Sequence, residues 1–474
     1  MSAQEQDYKA TGALAGAWKI AAGVGVVGVG AALAMGASDP KRFAYSYLFA
    51  FATFLSLALG ATFFVLLQHV TSAAWSVTTR RIGEFFMSAL PVFALLFIPV
   101  GLHMDDLYGE WANHTEHAAH APAGGHGEHG AAAGEHGAPA GEHGAAAEHG
   151  AAGEHGAAAG HEGPAVPHHE GVEGGLLTQE QIEHMAHSEI ISSKDWYLTK
   201  GFWGLRLLIY FGAWAYISYA LFRNSTQQDT TKDKQWTRRS QGMAPWAIPV
   251  LALTSTFAAF DWYMSLLPSW CSTIFGVWHF SSSMVALFAT LTLTTMWLSK
   301  KGYLGDAVTL EHFHDLGKLT FGFNCFWAYI SFSQFFLIWY AGIPEEADFY
   351  HLRWSEGPWT NVSWAIAILH FVVPFVLLMS RNVKRNLGGL AAGAALLVVM
   401  HVVEMYWLVL PNYARSMGIA AREPGAMSFS PLDLLAFVGV GGIYLAAVLY
   451  RMANHSLVAV GDPRFERSRH FENA

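Results

Sequence analysis

The side chains best placed to do chemistry are ionisable groups inside long apolar runs. His401 and Glu404 are three residues apart in one such run, so they project from one helix face, a spacing suited to two groups that share a proton. The run before it holds His370, and four residues on stands Pro374, whose missing amide would leave the His370 carbonyl free for water or a ligand. Asp261 ends another run and His279 lies early in the next, past a short turn, so the two are expected on neighbouring helices. Ser282 and Ser283, three and four residues beyond His279, are expected to orient its ring. Arg206, further upstream, is a countercharge of comparable depth whose partner the sequence does not disclose. An ionisable group at mid-membrane costs roughly 2.5–3.5 kcal/mol, so each is a candidate for a proton path. The competing reading for each is an interhelical hydrogen bond that only fixes packing, and it suits Gln68, His69 and Glu84 best.

Such groups need apolar helices to hold them, and the composition supplies these. Of 474 residues, 53% are hydrophobic and 13% are charged, about half the usual charge of a soluble domain. The net charge of -9 resides largely in one His/Glu-rich tract, and no basic motif argues for nucleic acid. The two cysteines, Cys271 and Cys325, exclude a disulfide framework, a cysteine-held cluster and covalent haem. Any redox work must therefore lean on partners or a lipid-soluble ligand.

A hydrocarbon core of roughly 30 Å takes about 20 apolar residues per helix. Runs that meet this lie near 14–34, 46–70, 84–103, 196–222, 243–263, 271–298, 318–341, 360–380, 388–410 and 431–451. The expected fold is an all-α, polytopic membrane helical bundle of ten transmembrane helices with a long low-complexity outer loop. Lys and Arg alternate in abundance between successive loops, with Arg80, Arg81, Arg238, Arg239, Lys300, Lys301, Arg381, Lys384 and Arg385 on one side. By the positive-inside rule that side, and both termini, are expected to be cytoplasmic. The organisation becomes helices one to three in 1–103, a flexible periplasmic loop in 104–195, helices four to ten in 196–451 and a cytoplasmic tail in 452–474.

The loop repeats Gly-Glu-His-Gly-Ala-Ala-Ala with variations and has no apolar face, so it is expected to stay solvated. Its His136, His143, His149 and His155 are candidate ligands for Cu, Zn or Ni, although a tolerated loop expansion is the simpler reading.

Residues 260–283 read FDWYMSLLPSWCSTIFGVWHFSSS. This segment resembles the signature of the ActF-type membrane subunit of alternative complex III, a bacterial quinol:cytochrome c oxidoreductase, which is similar in turn to the NrfD/polysulfide reductase C membrane anchors. The resemblance implies a multi-pass subunit of the bacterial inner membrane that is not catalytic alone. It further implies a multi-haem cytochrome c, a monohaem cytochrome and an iron–sulfur protein on the outer side, with haem and iron–sulfur clusters on those partners and none in this chain. A second NrfD-like subunit alongside would carry the better-supported site of quinol oxidation. In that setting Asp261, His279, His370, His401 and Glu404 would form a pocket for menaquinol or ubiquinol, or line a proton path. Two other classes compete: a secondary transporter, which would show matching broken helices in two similar halves, and a b-type cytochrome with haem between His370 and His401.

Overall fold

The computed structural model describes residues 8–113, 189–354 and 357–472. These residues are mostly helical, with no strand among them, and include ten helices long and apolar enough to cross a membrane. The first span is α1 (Ala13–Gly36) and the second α2 (Pro40–Val70). The third is broken into α3 (Val77–Met87), α4 (Leu90–Leu96) and α5 (Ile98–Leu102). Pro91 and Pro99 account for the breaks, since neither ring nitrogen can donate to the carbonyl four residues back. Residues 104–112, which the sequence places at the start of the loop, form a helix, α6 (Met104–Ala112). It is held by Tyr108 and Trp111, which donate to the carbonyls of Trp262 (3.0 Å) and Ser265 (3.2 Å).

The remaining spans are α7 (Lys200–Thr231), α8 (Gln235–Trp262), α9 (Phe275–Lys300), α10 (Leu310–Ala341), a composite eighth span, α15 and α16. The composite runs as α12 (Pro358–Ala365), a π-helical stretch (Ile366–Val372) and α13 (Val373–Met379). A short helix α11 (Pro344–Trp354), not foreseen from the sequence, precedes it, and α14 (Arg381–Arg385) follows. The ninth span, α15 (Leu387–Ser416), starts where the Asn386 side chain accepts the amides of Gly388 and Gly389, satisfying donors that have no partner within the helix. The last is α16 (Pro431–Asn454), and α17 (Phe465–Arg469) lies in the tail.

All ten expected spans are therefore present, most of them running past the expected ends. A membrane helix does not stop where its apolar run stops, because polar turns prolong it into the interface. The packing sorts eight of them into two groups of four. Spans two to five make one group and spans six to nine the other, joined chiefly where α2 meets α9 and α15. Gly60 permits that junction, since a Cβ there would lie 2.7 Å from the Ser283 carbonyl oxygen on α9. The helix α1 pairs chiefly with α16, which in turn packs along α2.

At the end of the bundle where α2 stops and α3 begins, the basic loops meet. Arg80 and Arg81, expected as loop charges, are buried instead. Arg80 pairs with Glu84 and Asp462 (both 2.9 Å), and Arg81 with Glu84 (2.9 Å) and Asp229 (2.7 Å). Burial pushes the Asp462 carboxyl up, but the charge of Arg80 and the hydrogen bonds and charge of Arg464 outweigh it, leaving the group well below the usual carboxylate range.

Candidate functional site

Glu404 is the centre of a buried polar cluster in the second group of helices. It has 0% of its surface exposed, on the face of α15 that turns toward α9, α10 and the π-helical stretch. One carboxylate oxygen, Oε1, accepts the Trp327 indole N–H at 2.6 Å. The other, Oε2, accepts the Ser282 hydroxyl at 2.5 Å and has His370 Nε2 at 3.5 Å and His401 Nδ1 at 3.6 Å. His401 is held from both sides, with Ser282 Oγ 3.1 Å from Nδ1 and Ser56 Oγ 2.8 Å from Nε2. His370 lies against Trp327, ring centres 3.9 Å apart and planes inclined by 25°. An oxygen wired to neutral donors and two imidazoles, with no cation fixed upon it, is equipped to take up and pass on a proton.

The cluster borders a cavity of about 570 Å³, within the range typical of small-molecule sites. Its walls are mostly aromatic, from Trp327, Phe332 and Phe335 on α10, Phe349, Tyr350 and Trp354 on α11, Trp364 on α12 and Trp407 on α15. Glu404 stands in the inner wall. Gln334 and Ser331 add polar atoms to the lining, and the Gln334 Oε1 and Ser331 Oγ atoms have no hydrogen-bond partner among the described residues. Arg353 fixes the helix that roofs this space. It is fully buried and donates to the carbonyls of Phe349 (2.8 Å), Trp407 (3.1 Å) and Leu408 (2.7 Å). The Trp407 carbonyl is available because Pro411, four residues on, has no amide to give it.

His370, His401 and Glu404 are thus brought together, the last two from one face of α15. Asp261 and Arg206 are not part of the cluster. They bond each other in the first group, Arg206 Nε to Oδ2 at 2.7 Å and Nη2 to Oδ1 at 2.9 Å, with the Tyr210 hydroxyl on Oδ2 at 2.7 Å. His279 packs on the Tyr263 ring, 5.2 Å between centres, and its Nδ1 has no described partner. Its ring is not oriented by the two serines: Ser283 donates to the His279 carbonyl, and Ser282 turns to Glu404 and His401. Around Pro374 the chain widens into the π-helical stretch, where the Val373 amide bonds the Ile368 carbonyl five residues back. The missing amide is absorbed by that shifted pairing, in place of the plain helix with one gap.

A haem between His370 and His401 does not fit, because both ring nitrogens of His401 are engaged by serines and Glu404 stands between the two rings. The candidate metal ligands His136, His143, His149 and His155 lie outside the described residues. The broken helices are the third and eighth spans, second and third in their respective groups of four, so they do not occupy the matching positions a two-fold transporter would show.

Trp327, Ser56, Gln334 and Arg353 are the site residues that sequence reasoning missed. For Arg353 a signal existed, since an arginine flanked by Phe349, Tyr350 and Trp354 in an otherwise polar loop marks a segment with something to bury. Compared with known proteins, the chain matches no family model and none of the curated sequences.

Proposed function

We propose that this integral membrane protein is a subunit of a bacterial respiratory quinol:cytochrome c oxidoreductase of the alternative complex III type. In this reading it scaffolds the complex in the inner membrane and takes a quinol headgroup into the aromatic cavity. The observation that carries it is Glu404, a buried carboxylate bonded by no lysine or arginine among the described residues, in the wall of an aromatic cavity. A planar diol on an isoprenoid tail suits that space: the ring stacks on indole and phenyl faces, the tail stays among apolar helices, and the hydroxyls need an acceptor.

Quinol oxidation releases two electrons and two protons. The electrons would go to haem or iron–sulfur groups on partner subunits, and the protons to side chains of this chain. Glu404 Oε2 accepts the hydroxyl proton, and Ser282 connects it to His401 and onward to Ser56 on α2. Gln334 on the opposite stretch of α10 is free to bond the second oxygen of the ring. Because Glu404 exposes no surface, the hydroxyl reaches it when a wall side chain such as Trp407 gives way. The sequence resemblance at residues 260–283 and the alternation of basic loops support the setting, with both termini and the basic loops cytoplasmic and the His-rich loop periplasmic.

A photoreactive azidoquinone tests the pocket in the intact complex. Labelling should fall on peptides of α10, α11 or α12 and disappear when unlabelled quinone competes. Labelling confined to other subunits would defeat the pocket. Co-purification of haem proteins in fixed stoichiometry tests the setting independently.

A further inference from the structure

The pairing of α1 with α16 opens a second, unrelated site. Along their middles the two helices touch backbone to backbone, where a Cβ on Gly28 would sit 2.7 Å from the Gly439 Cα and one on Gly442 would sit 2.6 Å from the Gly25 Cα. Toward the start of α1 the seam changes to Ala13, Leu14 and Ala17, and a groove of about 580 Å³ opens between α1, the end of α9 and the end of α16. Its floor is apolar and buried, with Phe86, Val448 and Met452 among its lining residues. Its mouth is different. Trp297, 46% exposed, Tyr303 and Lys301 stand there, at the level where α9 ends. Lys300 is adjacent and exposed, and no acidic residue lines the groove. The nearby Asp306 carboxylate is taken by Arg469. An apolar channel running into the bilayer, with an aromatic belt and a cation at the interface, is the shape and charge of a phospholipid site.

We propose that this groove holds one acyl chain of an anionic glycerophospholipid whose phosphate rests on Lys301. The lipid then fills the space between the α1–α16 pair and the rest of the bundle, on the side away from the aromatic cavity. A zwitterionic lipid offers the same chain but brings a quaternary or primary ammonium to a rim that holds only positive charge.

The purified full chain, or the complex that contains it, should retain about one equivalent of anionic phospholipid by quantitative mass spectrometry after detergent exchange. After delipidation, vesicles of phosphatidylcholine doped with phosphatidylglycerol should raise the melting temperature more than pure phosphatidylcholine vesicles. Lys301→Gln, a change at an exposed position, should weaken phosphatidylglycerol binding about fivefold, as expected for about 1 kcal/mol per basic residue. Lys301→Arg should restore it. Ala17→Trp should fill the groove and abolish retention with the rim charges intact. Equal retention of phosphatidylcholine, indifference to Lys301→Gln, or full protection by inorganic phosphate alone would each overturn the proposal.

Discussion

Each group of four spans buries one carboxylate on its last helix and gives it a partner from its third, but the two are treated in opposite ways. Asp261 receives a two-point hydrogen-bonded ion pair from Arg206 and a third bond from Tyr210. Glu404 receives Trp327 and Ser282, both neutral, with His370 and His401 just beyond hydrogen-bond distance. A guanidinium cannot give up its proton, so Arg206 is a fixed cation on Asp261, whereas the groups beside Glu404 include imidazoles, which can exchange protons. One acid ties a helix pair together through a cation, and the other is bonded by neutral donors alone. Burial alone, 0% exposure in both, does not separate them; the identity of the donor does.

Removing the cation should hit the first site hardest. Arg206→Met strands a buried charge and is expected to cost about 3–5 kcal/mol, seen as a fall in melting temperature or loss of folded protein in detergent. Adding Asp261→Leu should recover most of it, and a double variant no more stable than Arg206→Met would break the comparison. At the second site, Glu404→Gln keeps an oxygen for Trp327, so melting should change little. In the proposed complex, quinol-supported reduction of cytochrome c should drop about a hundredfold, as when a positioned base is removed. Unchanged turnover, or a stability loss as large as that of Arg206→Met, would put Glu404 in the same class as Asp261. Replacing His401 with Phe on top of Glu404→Gln should add little, because residues acting as one relay are not additive. Ser282→Ala is a smaller blow, about 1 kcal/mol of stability for the lost hydrogen bonds.

Asp462 extends the comparison to a paired carboxylate outside the membrane spans. Its folded-state value lies below the unfolded value of about 3.9, so its stabilising effect is complete above that pH and fades as pH falls through the lower folded value. Acid unfolding followed from about pH 5 to about pH 2 should show this loss, and Asp462→Asn should flatten that part of the profile.

Hydropathy disclosed the spans because the cost of burying polar backbone in lipid leaves few ways to arrange an apolar run of that length. It could not disclose pairing between helices. Arg206 and Asp261 are 55 residues apart, and nothing in either neighbourhood states which helix faces which. The histidine and glutamate of α15 were legible because their relation is internal to one helix. The serines misled for a geometric reason: at about 100° per residue, Ser282 falls about 60° to one side of His279 and Ser283 about 40° to the other. A shared face is broad enough to send neighbours to different partners. Trp327 was hidden among many aromatic residues that face lipid, such as Tyr329 and Trp339, both exposed.

The bond from Arg80 to Asp462 joins residues 382 positions apart, so an arginine at the start of the third span takes a partner that is synthesised only after α16. Until then Arg80 has Glu84, a residue it shares with Arg81, and Arg81 has Asp229 as well. Insertion of the helices can proceed in order of synthesis, but closure of this end of the bundle must wait for the segment after α16 to fold back against α3.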